Sequence, residues 1–309
     1  MLEIGAKILH KAKARMHLHR ARAVLDTPPL RPLDDGVVIF SMIGSRVLLP
    51  YLVAVKSLHR QLGRGRVAIL DDGTLTAADR QVLAAHLGEP EIRQIDAVDC
   101  GPCPRGGTWE RLLTLLDLRR DAYVIQLDSD TVTTGPVPEV VHAIAQARSF
   151  TLRGDADAEL VPAAEIAARK PPEYHRDNPA AHVQGAIESV LDEVRIEGLS
   201  SPRYARGCSG FAGFAPAASG RQLAERFSQE AERLLGRARW EQWGSEQVTS
   251  NFVIANEPDP LLLPYDRYLN FWNEPLPPEA AFVHFIGTYR YHRGAYAAAT
   301  QRAIAALAR

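Results

Sequence analysis

Read for apolar and polar positions, the chain alternates short continuous apolar runs with longer stretches of helical spacing. Val37-Val38-Ile39-Phe40-Ser41 predicts a buried strand, and Val47 to Leu62 a helix in which Pro50 is tolerable only near the first turn. Arg66-Val67-Ala68-Ile69-Leu70 predicts a second strand ending in Asp71-Asp72-Gly73, after which Thr76 caps a helix over Ala77 to Leu87. Thr108 to Leu118 reads as an amphipathic helix leading into the strand Tyr123 to Thr131. Val137 to Ala147 predicts another helix, and Ser149 to Leu152 another strand. From Pro162 to Pro202 the periodicity fails, except over Ala180 to Val194, which is expected to be helical. Gly207 to Phe214 returns to strand-like alternation, with glycines that let a neighbour approach closely. Arg221 to Leu235 reads as a charged, solvated helix. Ser245 is expected to cap a helix through Ile254, Ala281 to Gly287 to form the last strand, and Ala295 to Ala308 a terminal helix. Such alternation is the mark of an α/β fold: a Rossmann-like, mostly parallel mixed sheet flanked by helices.

The expected layout is a basic N-terminal helix and Pro-rich linker over 1–35, one domain over 36–292 with an irregular insertion at 155–206, and a C-terminal helix over 293–309. In open α/β sheets ligands sit beyond the carboxyl ends of the strands, so Ser41 to Ser45, Asp71-Asp72 and Asp128-Asp130 are expected to face one crevice. A strand's period of two would send Asp128 and Asp130 to the same side, where their oxygens could converge on one hard cation. A D-x-D triplet alone is weak, and Asp155-Ala156-Asp157 is a second one.

Composition narrows the classes. The 309 residues carry a formal net charge of −1, which gives no reason to expect a nucleic-acid partner. Three cysteines make no disulfide framework. No apolar run approaches the roughly 20 residues that span a bilayer, so the chain is expected to be cytoplasmic. Against Glu3, residues 1–25 set Lys7, Lys11, Lys13, Arg15, Arg20 and Arg22, a local excess of five positive charges. With Leu2, Ile4, Ile8, Leu9, Met16 and Leu18 at loosely helical spacing, this block reads as an amphipathic helix lying on the inner, anionic face of a membrane or as a solvated or frayed leader, with an Arg-rich, acid-poor organelle transit peptide as a third account. Cys100-Gly101-Pro102-Cys103 has the dithiol spacing of thioredoxin-like proteins. Here it is followed by Pro104 to Gly107, so the first thiol is expected on a loop rather than at a helix N-terminus, where its pKa would fall.

Taken together, several motifs resemble the retaining glycosyltransferases of family 8, from about Val37 to Tyr291. Leu70 to Thr76 is similar to the family's strand, acidic turn and capped helix. Arg111, on the helix before Leu127-Asp128-Ser129-Asp130-Thr131-Val132, resembles the basic residue that precedes the family's D-x-D. Glu246-Gln247 with Asn251 resembles an acid, glutamine and asparagine on a segment against the donor sugar. His284-Phe285-Ile286-Gly287-Thr288-Tyr289-Arg290 resembles an H-x-x-G-x-x-K signature, with arginine in the lysine's place. Two departures stand out: Met42-Ile43-Gly44 replaces the usual acid after the first strand, and Cys208-Ser209-Gly210 stands where Asn-Ser-Gly is common.

The resemblance implies a GT-A fold and a hexosyl-type transferase using a nucleotide sugar, a uridine diphosphate sugar foremost, with Mn2+ or Mg2+. It implies Asp128, Asp130 and His284 as metal ligands. Phe40, Ser41, Asp71, Arg111, Asp128, Ser209, Gly210, Gly287 and Arg290 would bind the donor, and Gln247 and Glu246 would lie at the reacting sugar. The acceptor, a glycan, a lipid or another group, is left open, with its choice expected in the insertion. Two other readings compete. Gly44-Ser45-Arg46 to Pro50 distantly echoes the glycine-rich loop of sugar-1-phosphate nucleotidyltransferases, and a non-catalytic nucleotide-sugar or carbohydrate-binding module could share the fold.

Overall fold

The computed structural model describes the backbone of residues 2–309 and the side chains of residues 10–287 and 289–309. Its strands are β1 (Val37–Ile43), β2 (Arg66–Asp71), β3 (Glu91–Gln94), β4 (Tyr123–Leu127), β5 (Thr131–Thr133), β6 (Phe150–Arg153), β7 (Val161–Pro162), β8 (Arg203–Tyr204), β9 (Gly207–Phe214), β10 (Leu261–Leu262), β11 (Tyr268–Asn270) and β12 (Phe282–His284). Seven of them form a mixed sheet flanked by helices, the α/β architecture expected from the alternation. The chain divides into two compact units. One holds residues up to Gln94, Ile125–His142 and Pro264–Arg309, and the other Ile95–Val124 and Ala143–Leu263.

In the first unit β1, β2 and β3 run parallel, with Ile43 opposite Asp71. β1 is buried along nearly its whole length, as a parallel strand covered on both faces requires. The helix Leu48–Leu62 is likewise buried almost all round, and Pro50 falls in its first turn. It starts one residue later than expected because Ser45–Val47 forms a 3-10 turn. Thr76 caps Ala77–Leu87 through a full capping box with Asp79. A separate three-stranded sheet, in the order β11-β12-β5, pairs β12 parallel to β11 and antiparallel to β5.

The N-terminal block is helical over Leu2–Ala21. Met1 and the side chains of Leu2, Glu3, Ile4, Lys7, Ile8 and Leu9, on which much of the expected pattern rests, lie outside the described residues. The end of the block is packed rather than solvated: His17, Ala21 and Val24 are buried, and the His17 ring stacks on Tyr296 at 3.8 Å. Among the described residues neither His17 nitrogen has a hydrogen-bond partner, and burial, with Arg290 and Arg20 nearby, lowers its pKa to about 4. The Pro-rich segment is also fastened. The buried Lys56 ammonium donates to the Thr27 carbonyl at 3.2 Å and its hydroxyl at 2.6 Å, while the Leu30 amide donates to His86 O at 2.9 Å.

In the second unit β9 pairs antiparallel with β6 across a bulge at Thr151/Leu152. Its glycines serve close approach: a Cβ on Gly213 would stand 2.2 Å from the Phe150 ring. Within the insertion, the helix expected over Ala180 to Val194 is shorter. It spans Val183–Glu188, stops at Ser189, and is followed by a 3-10 turn at Leu191–Glu193. A further helix, Ala163–Arg169, lies where the sequence shows no helical periodicity.

Candidate functional site

Asp128, Ser129 and Asp130 do not continue a strand. β4 ends at Leu127 and the triplet is a turn before β5, so the period-two argument for their convergence does not apply. The turn itself does the converging, and it is pinned at all three carbonyls. Thr131 Oγ1 donates to Asp128 O at 2.9 Å, Tyr296 Oη to Ser129 O at 3.4 Å, and the Phe285 amide to Asp130 O at 2.8 Å. At about 1 kcal/mol each, such bonds are individually modest, but together they fix which way the two carboxylates leave the backbone.

Sheet register brings in the third group. β12 sets His284 opposite Thr131, so an imidazole from near the end of the chain arrives beside the turn. His284 Nε2 stands 3.2 Å from Asp130 Oδ1 and 3.9 Å from Asp128 Oδ2. β11 sets Asn270 opposite His284, and its Oδ1 lies 3.0 Å from His284 Nδ1. An amide oxygen only accepts, so Nδ1 carries a proton and Nε2 is the ring nitrogen that faces the carboxylates: it donates to Asp130 Oδ1 when protonated and offers an electron pair to a cation when it is not. One ligand atom from each of Asp128, Asp130 and His284 lies within 4.8 Å of the others, the only such His/Cys/Asp/Glu group among the described residues. Two hard oxygens and one nitrogen fit Mn2+ or Mg2+ better than a softer ion.

Arg290 completes this group. Its guanidinium pairs with Asp130 Oδ2, and its Nε donates to Phe285 O at 2.9 Å. Burial alone would raise the Asp130 pKa, but the His284 imidazole and the Arg290 charge outweigh it and hold the carboxyl below the usual range. Gly287, between His284 and Arg290, is exposed at φ +44, a conformation that favours glycine.

A second cluster lies in the other unit. Arg111, buried on the helix Trp109–Leu118, places Nη2 3.3 Å from both Glu246 oxygens and 3.2 Å from Ser209 Oγ. Thr108 Oγ1 donates to Glu246 Oε2 at 3.0 Å, from a backbone at φ +76 that a β-branched residue rarely adopts. Gln247 Oε1 accepts from the Ser209 amide and hydroxyl at 3.4 Å, and Asn251 Nδ2 donates to Gly207 O at 3.2 Å. Ser245 is not the cap of the helix Ser245–Ala255. Gly244 is, at φ +105, because a Cβ there would stand 2.5 Å from the His182 ring; the Ser245 hydroxyl instead accepts from Trp109 Nε1 at 2.9 Å. His182 meets Trp243 edge-on at 5.9 Å, and Trp243 itself is 73% exposed.

The other predicted positions are committed to the fold. Phe40 is in the core, and Ser41 Oγ donates to Leu127 O at 2.7 Å. Asp71 Oδ1 accepts from the amides of Gly73 and Leu75 at 2.9 and 3.2 Å, while its Oδ2 pairs with Arg80. Gly210 is a buried residue of β9. In the glycine-containing loop after β1, the Ser45 amide donates to Thr74 Oγ1 at 3.1 Å, so it is turned to protein rather than to a phosphate. The second D-x-D is an exposed turn in which the Asp157 amide donates to Asp155 Oδ1 at 3.1 Å. Cys100 and Cys103 are reduced and buried; burial raises both thiols, Cys103 to about 12, so neither is a thiolate at neutral pH. Thr108, Gln184, Asn270 and Tyr296 carry no signal in the sequence, since each matters only through a partner distant along the chain.

No family model matches the chain, and no curated protein does. Solved structures do. The galactosyltransferase LgtC, in complex with donor and acceptor sugar analogs, is 13% identical over 88% of this chain and 95% of its own, with a TM-score of 0.49. Mouse xyloside xylosyltransferase 1 is 13% identical over 80% of this chain and 96% of its own, at 0.47. The bifunctional glycosyltransferase WbbM is 12% identical over 84% of this chain but 47% of its own, at 0.47, so this chain spans about half of that neighbour's length.

Proposed function

We propose that the protein is a metal-dependent glycosyltransferase that moves a hexosyl group from a nucleoside diphosphate sugar, a uridine diphosphate sugar foremost, with retention of configuration. The observation that carries this reading is the Asp128, Asp130 and His284 group, with Asn270 setting the imidazole's tautomer and Arg290 against one carboxylate. A divalent ion held there would supply charge stabilisation to a departing diphosphate. Arg290, already at the carboxylates, would add a planar guanidinium suited to phosphate oxygens. To the second cluster the reading assigns the sugar: Glu246 and Gln247 position it, and Arg111 sets Glu246. An amide is a poor nucleophile, so orientation and electrostatic stabilisation are assigned the larger share, with no covalent step. The occupied Ser45 amide speaks against the nucleotidyltransferase alternative. Acceptor choice is assigned to the insertion at 155–206.

The test is release of nucleoside diphosphate from a panel of nucleotide sugars with Mn2+, followed by anomer analysis of any glycosylated product. Asp130→Ala is expected to lower release by about a thousandfold, the scale of a lost transition-state charge contact. Undiminished release would remove the metal assignment, and pyrophosphate release from a nucleoside triphosphate with a sugar phosphate would replace the reading with the nucleotidyltransferase one. We also assign residues 1–25 to the inner membrane face, because Lys11, Arg15, Arg20 and Arg22 are exposed there beside Met16. No helix among the described residues is long and apolar enough to cross a membrane. Flotation with phosphatidylserine vesicles should carry the protein, and replacing those four basic residues by serine should abolish it; equal flotation of that variant would end the idea.

A further inference from the structure

Gln247 is an amide whose two ends differ chemically but hardly in shape, so something must decide which end faces Ser209. A buried chain of hydrogen bonds makes that decision, and it begins at a carboxylate with no assigned role. Glu188, fully buried at the end of the helix Val183–Glu188, pairs with the Lys170 ammonium and lies 3.8 Å from Arg206 Nε. As a carboxylate it only accepts. Its Oε1 takes the Tyr204 hydroxyl at 2.9 Å and Gln184 Nε2 at 3.2 Å. With its nitrogen drawn to Glu188, Gln184 must turn its oxygen the other way, and that oxygen accepts from Gln247 Nε2 at 3.5 Å. Gln247 in turn is left with its oxygen toward the Ser209 amide and hydroxyl, at 3.4 Å, where Ser209 also meets Arg111.

We propose that Glu188 and Gln184 are positioning residues that set the polarity of the Gln247 amide, so that the insertion controls how the sugar-facing cluster presents its donors and acceptors. Each link is defined by which atom can donate. Reversing Gln184 would put its oxygen against the Glu188 carboxylate and its nitrogen against the Gln247 nitrogen, two unfavourable contacts in a buried place. The last links are long for hydrogen bonds, so the chain selects an orientation more than it binds tightly. The inference deepens the glycosyltransferase reading, and its first measurement does not depend on that reading.

The measurement is the side-chain amide resonance pair of Gln247 in 15N-labelled protein, assigned by its absence from Gln247→Glu. In Gln184→Met, which keeps the volume and removes both bonds, the pair should move toward solvent-exposed glutamine values and exchange faster. Glu188→Gln alone removes the network's carboxylate, leaves Lys170 unbalanced and can unfold the chain. The swapped double variant Gln184→Glu with Glu188→Gln moves that carboxylate to the adjacent position, so the network's net charge is kept, and it keeps an acceptor facing Gln247; it should restore the wild-type resonance pair. In turnover, Gln184→Met should lower kcat by about tenfold, as expected for lost orientation, with donor KM within twofold; the double variant should recover most of it. An unmoved Gln247 pair in Gln184→Met, or equal losses in the single and double variants at unchanged Tm, would overturn the inference. A wild-type protein that releases no nucleoside diphosphate would count against the glycosyltransferase reading, while the resonances would still decide this one.

Discussion

Asp128-Ser129-Asp130 and Glu246-Gln247 are both short polar stretches beside apolar elements, yet they handle their charge differently. The first gathers two carboxylates and an imidazole Nε2, with the Arg290 guanidinium against Asp130. Its backbone is pinned and its ligand atoms are gathered within 4.8 Å of one another. The second is balanced within itself: Glu246 is matched by Arg111 and Thr108, and Gln247 by Ser209 and Gln184. An arrangement that crowds electron-pair donors together invites a cation from outside, whereas one that pairs every charge contributes shape and orientation. A substitution in the first cluster should therefore be felt in chemistry, and one in the second in folding as well.

The Asp130→Ala loss of turnover heads the expected effects; it also takes away the Arg290 partner, so some stability goes with it, but less than for a fully buried pair because the Arg290 side chain is 31% exposed. Arg111→Met follows. Removing one partner from a buried ion pair leaves Glu246 unmatched, so unfolding free energy should fall by about 3–5 kcal/mol. Denaturant titration of both variants decides between the two behaviours. Should Asp130→Ala unfold the protein while Arg111→Met leaves the midpoint unchanged, the division into a ligand-seeking and a self-matched cluster is wrong.

How much of this is legible in the sequence depends on how local each cause is. The Thr76 cap can be read because a capping box is complete within four residues, whereas Ser245 only looks like a cap, because His182, the N-cap of another helix, demands glycine at 244. β1, β2 and β4 announce themselves by apolar runs. Asp71 and Asp128 look alike in sequence, each an acid at a strand end, but Asp71 is consumed by its own turn and by Arg80. Nothing in the local pattern separates them. His284 is reached only through motif resemblance, because its neighbourhood is created by the β5–β12 register, and Asn270 leaves no signal because its role exists only through β11. The N-terminal block reads as separate because its composition is basic, yet its few apolar and aromatic contacts decide where it packs.

That packing reaches the first cluster. His17 stacks on Tyr296, whose hydroxyl holds the carboxylate turn. Its folded pKa of about 4 lies below the ordinary value of 6.5, so below pH 6.5 the unfolded chain binds a proton that the folded chain does not. Stability is therefore whole above about pH 6.5, declines as pH falls toward 4, and changes no further from this group below that. The full span is on the order of 3 kcal/mol. His17→Phe keeps the ring and removes the titration, so the stability difference between the two proteins should change by that amount between pH 7 and pH 4. A difference that stays constant with pH would mean that His17 is not held neutral.

The smallest effect tests the tautomer on which the metal assignment rests. Asn270→Leu keeps roughly the side-chain volume but removes the oxygen that accepts from His284 Nδ1. The imidazole can then turn or change tautomer, offering a proton instead of an electron pair to the carboxylate side. Both carboxylates remain, so binding should weaken rather than vanish: Mn2+ affinity is expected to fall by about 10–100-fold, the usual cost of losing a group behind a ligating histidine. Calorimetric titration of Mn2+ reads this directly, without a sugar donor. The contrast with Gln184→Met is informative, because both variants remove an amide that orients a neighbour, one behind a metal ligand and the other behind Gln247. Asn270→Leu should alter metal affinity and leave the Gln247 resonances in place, and Gln184→Met should do the reverse. If Asn270→Leu binds Mn2+ as tightly as the wild type, His284 is not a ligand oriented from behind, and the first cluster reduces to two carboxylates and an arginine.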